Sequence, residues 1–175
     1  LLSDKSMEVL KATADAVENF TFSVIRYTRS DLREYLQFFW ELCQNLLISV
    51  GDSTSKYMAL LLWKKLIMSA PDDFASNFMQ IYSLIDGYTR DEPLFVQSIA
   101  YGIMASLAEV DPKQFIKNVS SNFFNRTSEL LSAHPYQTVE SLCLLIRSIP
   151  SFMKSQFELL KQFVASLINS PNSAF

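Results

Sequence analysis

Turn-forming residues are scarce: the 175 residues include 3 Gly and 6 Pro, and these fall mostly between apolar, periodic stretches. An all-β chain needs many more turn residues, so this punctuation belongs to a helical protein. Histidine is nearly absent, and the one that occurs, His134, stands beside Pro135 in a connector, where it is expected to be an exposed loop residue. A nucleophile with a base therefore lacks a positioned imidazole, and one His with two distant Cys does not assemble a zinc site. Gly51, Gly87 and Gly102 are isolated, so no glycine-rich loop cradles a phosphate. The chain is not expected to be an enzyme or to carry a metal or cofactor.

No excess of one charge is present. The 15 basic and 18 acidic residues are scattered and leave a net charge of -3, which gives no electrostatic footprint for nucleic acid. The longest apolar run, residues 57–68, is interrupted by Lys64 and Lys65. It falls short of the roughly 20 apolar residues a bilayer span needs, and no membrane insertion is expected. Cys43 and Cys143 lie in separate apolar runs and read as buried, reduced thiols of a reducing compartment. Glycosylation sequons occur at Asn19, Asn118 and Asn125, but no secretory signal precedes them.

What the chain does have is apolar content, 49% hydrophobic and 13% aromatic, enough for a substantial core in one domain or one continuous stack. Three-to-four spacing of Met7, Leu10, Ala14, Val17 and Phe20 or Thr21 predicts a long or broken helix over residues 4–28. Ser30, Asp31 and Glu34 form a capping-box pattern before Leu32, Leu36, Phe39, Cys43, Leu46 and Leu47. Gly51-Asp52 closes that helix, and another runs over residues 53–69 until Pro71. A helix over 72–85 carries Phe74, Phe78, Ile81, Tyr82 and Ile85. The next, opening after Asp91-Glu92-Pro93, carries Phe95, Ile99, Ile103 and Leu107, with Ala100 and Gly102 small enough for a close neighbour. Asp111-Pro112 is a cap followed by proline in the first helical position, and it starts a helix with Phe115, Val119, Phe123 and Leu130. Val139, Leu142, Cys143 and Ile146 mark a shorter helix after His134-Pro135, and Pro150 leads into a last one with Phe152, Phe157, Leu160, Val164 and Leu167.

Acidic pairs occur at Asp72-Asp73 and Asp91-Glu92, both at helix starts, where negative charge complements the helix dipole better than it suggests acid–base chemistry. Phe38, Phe39, Trp40, Phe74, Phe78, Phe115, Phe123 and Phe124 have helical spacing and no interleaved basic partners. They read as core rather than as a base-stacking surface.

The helices recur. Ala59, Leu62, Leu66, Pro71 and Phe74 correspond to Ala100, Ile103, Leu107, Pro112 and Phe115 at one offset, 100 − 59 = 41 residues. A third copy, with Leu142, Leu145, Ile149 and Phe157, follows 42 later. That period lies within the roughly 40 to 47 residues of HEAT or armadillo units and away from the roughly 34 of tetratricopeptide repeats. Repeated pairs must stack to bury their faces. The expected fold is all-α: a HEAT-like α-solenoid of about four antiparallel helix pairs in a right-handed superhelix. Residues 1–175 form one segment, which begins without an initiator Met and is expected to belong to a longer chain.

Asp91-Glu92-Pro93-Leu94-Phe95-Val96-Gln97-Ser98-Ile99-Ala100-Tyr101-Gly102-Ile103 resembles the helix opening of a HEAT repeat in the importin-β (karyopherin) family, above all the larger importins. Gln97 and the Ala-Tyr-Gly-Ile run at 100–103 hold the matching places, and the register extends over about residues 57–131. Val96 departs from the pattern, because such repeats commonly place there an arginine that ladders with an acidic residue of the next repeat. The resemblance implies a nuclear transport receptor, cytoplasmic and nuclear, that holds protein cargo and the small GTPase Ran on inner helices and Phe-Gly nucleoporin repeats between outer ones. The alternative is a HEAT-repeat scaffold in another assembly.

In either case the second helices of the pairs should line one face. Its candidate contact residues are Asp73, Asn77 and Gln80, then Lys113, Lys117, Asn118 and Ser121, and finally Lys154, Glu158 and Lys161. The mixed charge favours a protein surface or a basic segment over a phosphate backbone.

Overall fold

The computed structural model describes residues 6, 8–9, 12–13, 15–16, 19–20, 23, 32–49, 52–90 and 92–168, with the side chains of 32–36, 46, 48–49 and 166–167 excepted. Among the described residues the regular structure is entirely helical. α1 spans Leu32–Ser49 and α2 spans Ser53–Ser69; a 3₁₀ turn, Pro71–Asn77, then leads into α3, Phe78–Tyr88. α4 spans Leu94–Val110. Pro112–Gln114 and a π-helical turn, Phe115–Val119, run into α5, Ser120–Ala133. α6 spans Pro135–Ser148, α7 Pro150–Ser155 and α8 Phe157–Ile168. The described residues between 8 and 23 are helical as well, and Asp15 pairs with Lys65 of α2 at 2.8 Å. Met7, Leu10, Ala14 and Val17 of the expected first stripe, the Ser30-Asp31 cap, and Asp91 lie outside the described residues.

Proline sets the corners. Ala70, Asp111, His134 and Ile149 each precede a proline, and their φ values of -141°, -150°, -137° and -134° show the exclusion from the helical region that a following pyrrolidine ring imposes. Each still donates its N–H to the helix just ended, to Leu66, Leu107, Leu130 and Leu145 respectively. Where a side chain is available it completes the cap: Asp52 accepts from Thr54 and Ser55 N–H at 2.9 and 3.0 Å, so it opens α2 rather than closing α1. Asp111 accepts from Lys113 and Gln114 N–H, both at 3.0 Å.

These bonds, foremost that from the Gln114 backbone, hold the Asp111 carboxyl below its ordinary range. The cap therefore contributes fully above the unfolded carboxylate value of about 3.9, and its contribution fades as pH falls through the lower folded value. Asp111→Ala is expected to cost about 1 kcal/mol at neutral pH by urea unfolding, while Asp111→Asn keeps most of the stability and removes this share of the acid sensitivity.

α4 is the middle of the molecule. It packs against α2 on one side and α6 on another, with α3 and α5 also in contact. Every residue from Val96 to Ala108 is buried, which is why this helix is apolar nearly all round where a surface helix would carry one stripe. Val96, at the position that departs from the karyopherin pattern, is part of this core. A single cluster of buried side chains runs from Phe39 in α1 to Phe163 in α8. The π turn brings Ser120 N–H to Phe115 O, and its wider winding helps keep Phe115, Val119 and Phe123, four apart, on the buried side.

The first-helix starts, Ser53, Leu94 and Pro135, are spaced by 41 and 41 residues. The third copy is shorter within its first helix, however. Pro150 follows Pro112 by 38, so Met153 is buried in the place of Phe115, and Phe157, assigned to it by an offset of 42, is exposed. The α6 stripe also differs from expectation. Thr138, Ser141, Leu142, Leu144 and Leu145 are buried, while Val139, Cys143 and Ile146 are exposed. Thr138 and Ser141 can pack inward because each hydroxyl donates to a carbonyl one turn back, at 2.8 and 2.9 Å, so no polar atom is left orphaned. Cys43 is buried as expected, whereas Cys143 is not; Phe38, expected in the core, is exposed.

Gly102 makes room for a side chain rather than for a helix. A Cβ there would lie 3.2 Å from Lys64 Nζ and 3.3 Å from its Cε, because the lysine crosses α4 to reach Glu140 of α6 at 3.3 Å. The obstacle is the flexible end of a partly exposed side chain. Gly102→Ala is therefore expected to raise stability by up to about 1 kcal/mol through helix propensity, at the expense of the Lys64–Glu140 pair, as chemical denaturation would show.

Candidate functional site

The ten candidate contact residues are distributed along the elements that follow α2, α4 and α6. Asp73 and Asn77 lie on the 3₁₀ turn, Gln80 on α3, Lys113 just after Pro112, Lys117 and Asn118 on the π turn, Ser121 on α5, Lys154 on α7, and Glu158 and Lys161 on α8. All are exposed except Asn77, which is half-buried. Polar residues took these positions because the neighbours that alternate with them, Phe74, Phe78, Ile81, Phe115, Val119, Phe123 and Met153, occupy the core side.

Charge along these elements is graded. Asp72 and Asp73 head the 3₁₀ turn, whereas Lys113 and Lys117 follow Pro112 and Lys154 and Lys161 lie on α7 and α8. Glu158 is engaged within α8, 2.9 Å from Lys161, whose ammonium also stands 4.6 Å from the Phe157 ring centroid. Such exposed pairs hold a side chain in place more than they stabilise the fold.

Asp73 and Asn77 share a concavity. A groove of about 630 Å³ is lined by Gln37 and Trp40 of α1 and by Asp72, Asp73, Phe74, Ala75, Ser76 and Asn77. Its floor is aromatic: Trp40 lies 4.5 Å from Trp63 and 6.0 Å from Phe74, centroid to centroid. Two carboxylates at the rim of an aromatic floor suit a cationic or hydrogen-bond-donating side chain from a partner. Sequence reasoning missed Gln37 and Trp40, since both belong to α1, far from Asp73 in sequence, and become its neighbours only when α1 packs on α2. A tryptophan within a run of three aromatics at 38–40 is the one signal that could have pointed there.

The Gln97 and Ala-Tyr-Gly-Ile residues serve packing. Gln97 donates to the backbone oxygens of Arg90 and Glu92, at 3.1 and 2.6 Å, and accepts from Arg126 of α5 at 2.8 Å. Arg126 also donates to Thr89 O at 2.6 Å, and Glu92 pairs with Lys56 at the start of α2. The amide thus ties the connector before α4 to the helices on either side. Tyr101 stacks on Phe123 with centroids 4.0 Å apart and bonds Thr127 at 2.6 Å. Because the Thr127 hydroxyl proton goes to Phe123 O, Tyr101 is the donor of that bond. Burial pushes the phenol far above its ordinary range, so it stays protonated.

His134 is a half-buried corner residue rather than a fully exposed one, and its Nε2 is buried without a protein partner. Among the described residues no group of three or more His, Cys, Asp or Glu is placed to hold a metal ion, and no helix is long and apolar enough to cross a membrane. No family model matches the chain, and neither the curated proteins nor the solved structures contain a match.

Proposed function

We propose that this chain is a HEAT-like stack of antiparallel helix pairs that holds a protein partner along its second-helix face, as a segment of an importin-type transport receptor. The observation that carries the reading is the 41-residue recurrence of first-helix starts at Ser53, Leu94 and Pro135, combined with the packing of α4 against both α2 and α6. Helix pairs that repeat at this period and pack first helix to first helix form an extended surface, and such surfaces are used for holding other proteins. The acidic groove over Trp40 supplies one end of that surface and favours a basic segment of cargo; the lysines at 113, 117 and 154 favour acidic surface farther along.

The transport-receptor part rests on the Gln97 to Ile103 run. Its test is a pull-down with the polypeptide that carries this chain, on Phe-Gly nucleoporin repeats and on basic cargo, with and without GTP-locked Ran. Retention on the repeats and release of cargo by Ran are expected. Ran-insensitive binding, with one stoichiometric partner that stays bound through purification, would exclude the receptor and leave a fixed assembly scaffold.

A further inference from the structure

The helical stretches that begin at Pro71, Pro112 and Pro150 all change their winding at one common place, and each puts a carboxamide there. Asn77, Asn118 and Gln156 stand equally far past their prolines, 77 − 71 = 118 − 112 = 156 − 150 = 6. Asn77 ends the 3₁₀ turn with φ -102° and ψ 6°, Asn118 lies within the π turn, and Gln156 separates α7 from α8 with φ -94° and ψ 15°. Local 3₁₀ and π winding of this kind recurs at functional sites. The amides are lightly engaged. Asn77 Oδ1 accepts from Ser76 Oγ at 3.3 Å and Gln156 Nε2 donates to Ser155 Oγ at 3.2 Å, which leaves donor and acceptor capacity on both, while Asn118 is exposed. The three stretches are neighbours: Asn122 of α5 donates to Tyr82 and Asp86 of α3, and the Phe124 ring of α5 lies 6.3 Å from that of Phe152 in α7. Packed helices stand about 8–10 Å apart, so the three carboxamides form a row with roughly that step.

We infer that this row grips the backbone of an extended partner segment in the polyproline II conformation. The inference rests on the proposed reading of this face as the one that holds a partner, and it names the kind of segment held. A carboxamide offers a donor and an acceptor side by side, which matches a peptide N–H and C=O. A polyproline II segment makes no internal hydrogen bonds, so both groups are available on it. Its three residues per turn, at about 3.1 Å each, bring the same side back every ~9 Å, the step of the row. A β-strand alternates sides at each residue and would turn every third one away. Charge sets the ends of the segment. The row opens at Asp72 and Asp73 beside the Trp40 groove, which Asn77 also lines, passes Lys113 and Lys117, and ends at Lys154. The segment it fits is therefore basic at one end and acidic at the other, whereas a nucleic-acid strand would set its phosphates against both aspartates.

Two synthetic peptides are the probes, each about 12 residues long, with proline at every third position, arginines at one end and glutamates at the other, made in the two chain directions. Titrated into the isotope-labelled chain at low salt, one of them is expected to bind and to shift the side-chain amide resonances of Asn77, Asn118 and Gln156 together. Asn118→Ala, at an exposed position whose loss leaves the fold intact by circular dichroism, should weaken that binding roughly tenfold. Failure of both peptides to bind by millimolar concentration, binding that leaves the three amide resonances unmoved, or an unchanged affinity in Asn118→Ala would overturn the inference. Cargo pull-down separates this outcome from the fate of the proposed function. Cargo that is lost on Asp73→Lys or Lys117→Glu but kept by Asn118→Ala would sink the carboxamide row and leave the partner-holding face standing. Cargo capture indifferent to all three variants would remove both.

Discussion

Phe123→Ala is expected to lower the unfolding free energy by about 3–5 kcal/mol, a large share of the roughly 5–15 kcal/mol a domain has. Phe123 is fully buried where three rings converge on it: Tyr101 stacked at 4.0 Å, Phe124 edge-on at 5.4 Å and Phe115 edge-on at 6.0 Å. Those neighbours belong to α4, α5 and the π turn, so they cannot collapse together onto the vacated volume. The transfer cost and the cavity cost therefore both apply in full. For a chain of this length the fall in Tm is about 10 °C, measurable by calorimetry. Phe124→Ala, at a half-buried ring, should cost clearly less. Tyr101→Phe isolates the hydroxyl: Thr127 keeps its own bond to Phe123 O, and the loss is about 1 kcal/mol. A Phe123→Ala variant no less stable than Tyr101→Phe would show that α4 and α5 do not meet as described.

Arg126→Ala is the second large effect, about 2–3 kcal/mol in urea unfolding. One guanidinium nitrogen donates both to Thr89 O and to Gln97 Oε1, and both acceptors belong to buried residues that water does not readily reach. Removing the donor leaves them unsatisfied, which costs more than the bonds contribute when made. Arg126→Lys should recover only part, because a single ammonium lacks the guanidinium fork. Glu129→Ala removes the exposed partner, 3.0 Å away, and should change stability by no more than about 0.5 kcal/mol. The contrast separates a connector clamp from an ordinary surface ion pair.

That clamp was not legible in the sequence. Gln97 and Arg126 are 29 residues apart, and the backbone oxygens the amide reaches, at Arg90 and Glu92, carry no side-chain signature. The helices themselves were legible, since Asp111-Pro112 and Pro71 act through local backbone chemistry and the apolar spacing of α2 and α3 is dense. The face of α6 was misread for a definable reason. Counting large apolar residues selects Val139, Cys143 and Ile146, but Thr138 and Ser141 carry hydroxyls that the helix satisfies internally, and their small volume lets α6 approach α4. The third repeat was misplaced because α6 is three residues shorter than α4, 17 − 14 = 3, a deletion that a fixed offset absorbs at the wrong end. Of the candidate contact face, exposure was predictable from periodicity, whereas the groove at Trp40 required α1 and the 3₁₀ turn, distant in sequence, to meet.

The proposed stack is tested most directly by spin labels at three of the positions that follow a corner proline, Asp72, Lys113 and Ser151, in a background with Cys43→Ala and Cys143→Ser. Successive helix pairs stack about 8–10 Å apart, so the 72–113 and 113–151 distances should be similar and the 72–151 distance close to their sum. A 72–151 distance no longer than either single step would mean a closed bundle and would contradict the repeat architecture on which the proposed function stands.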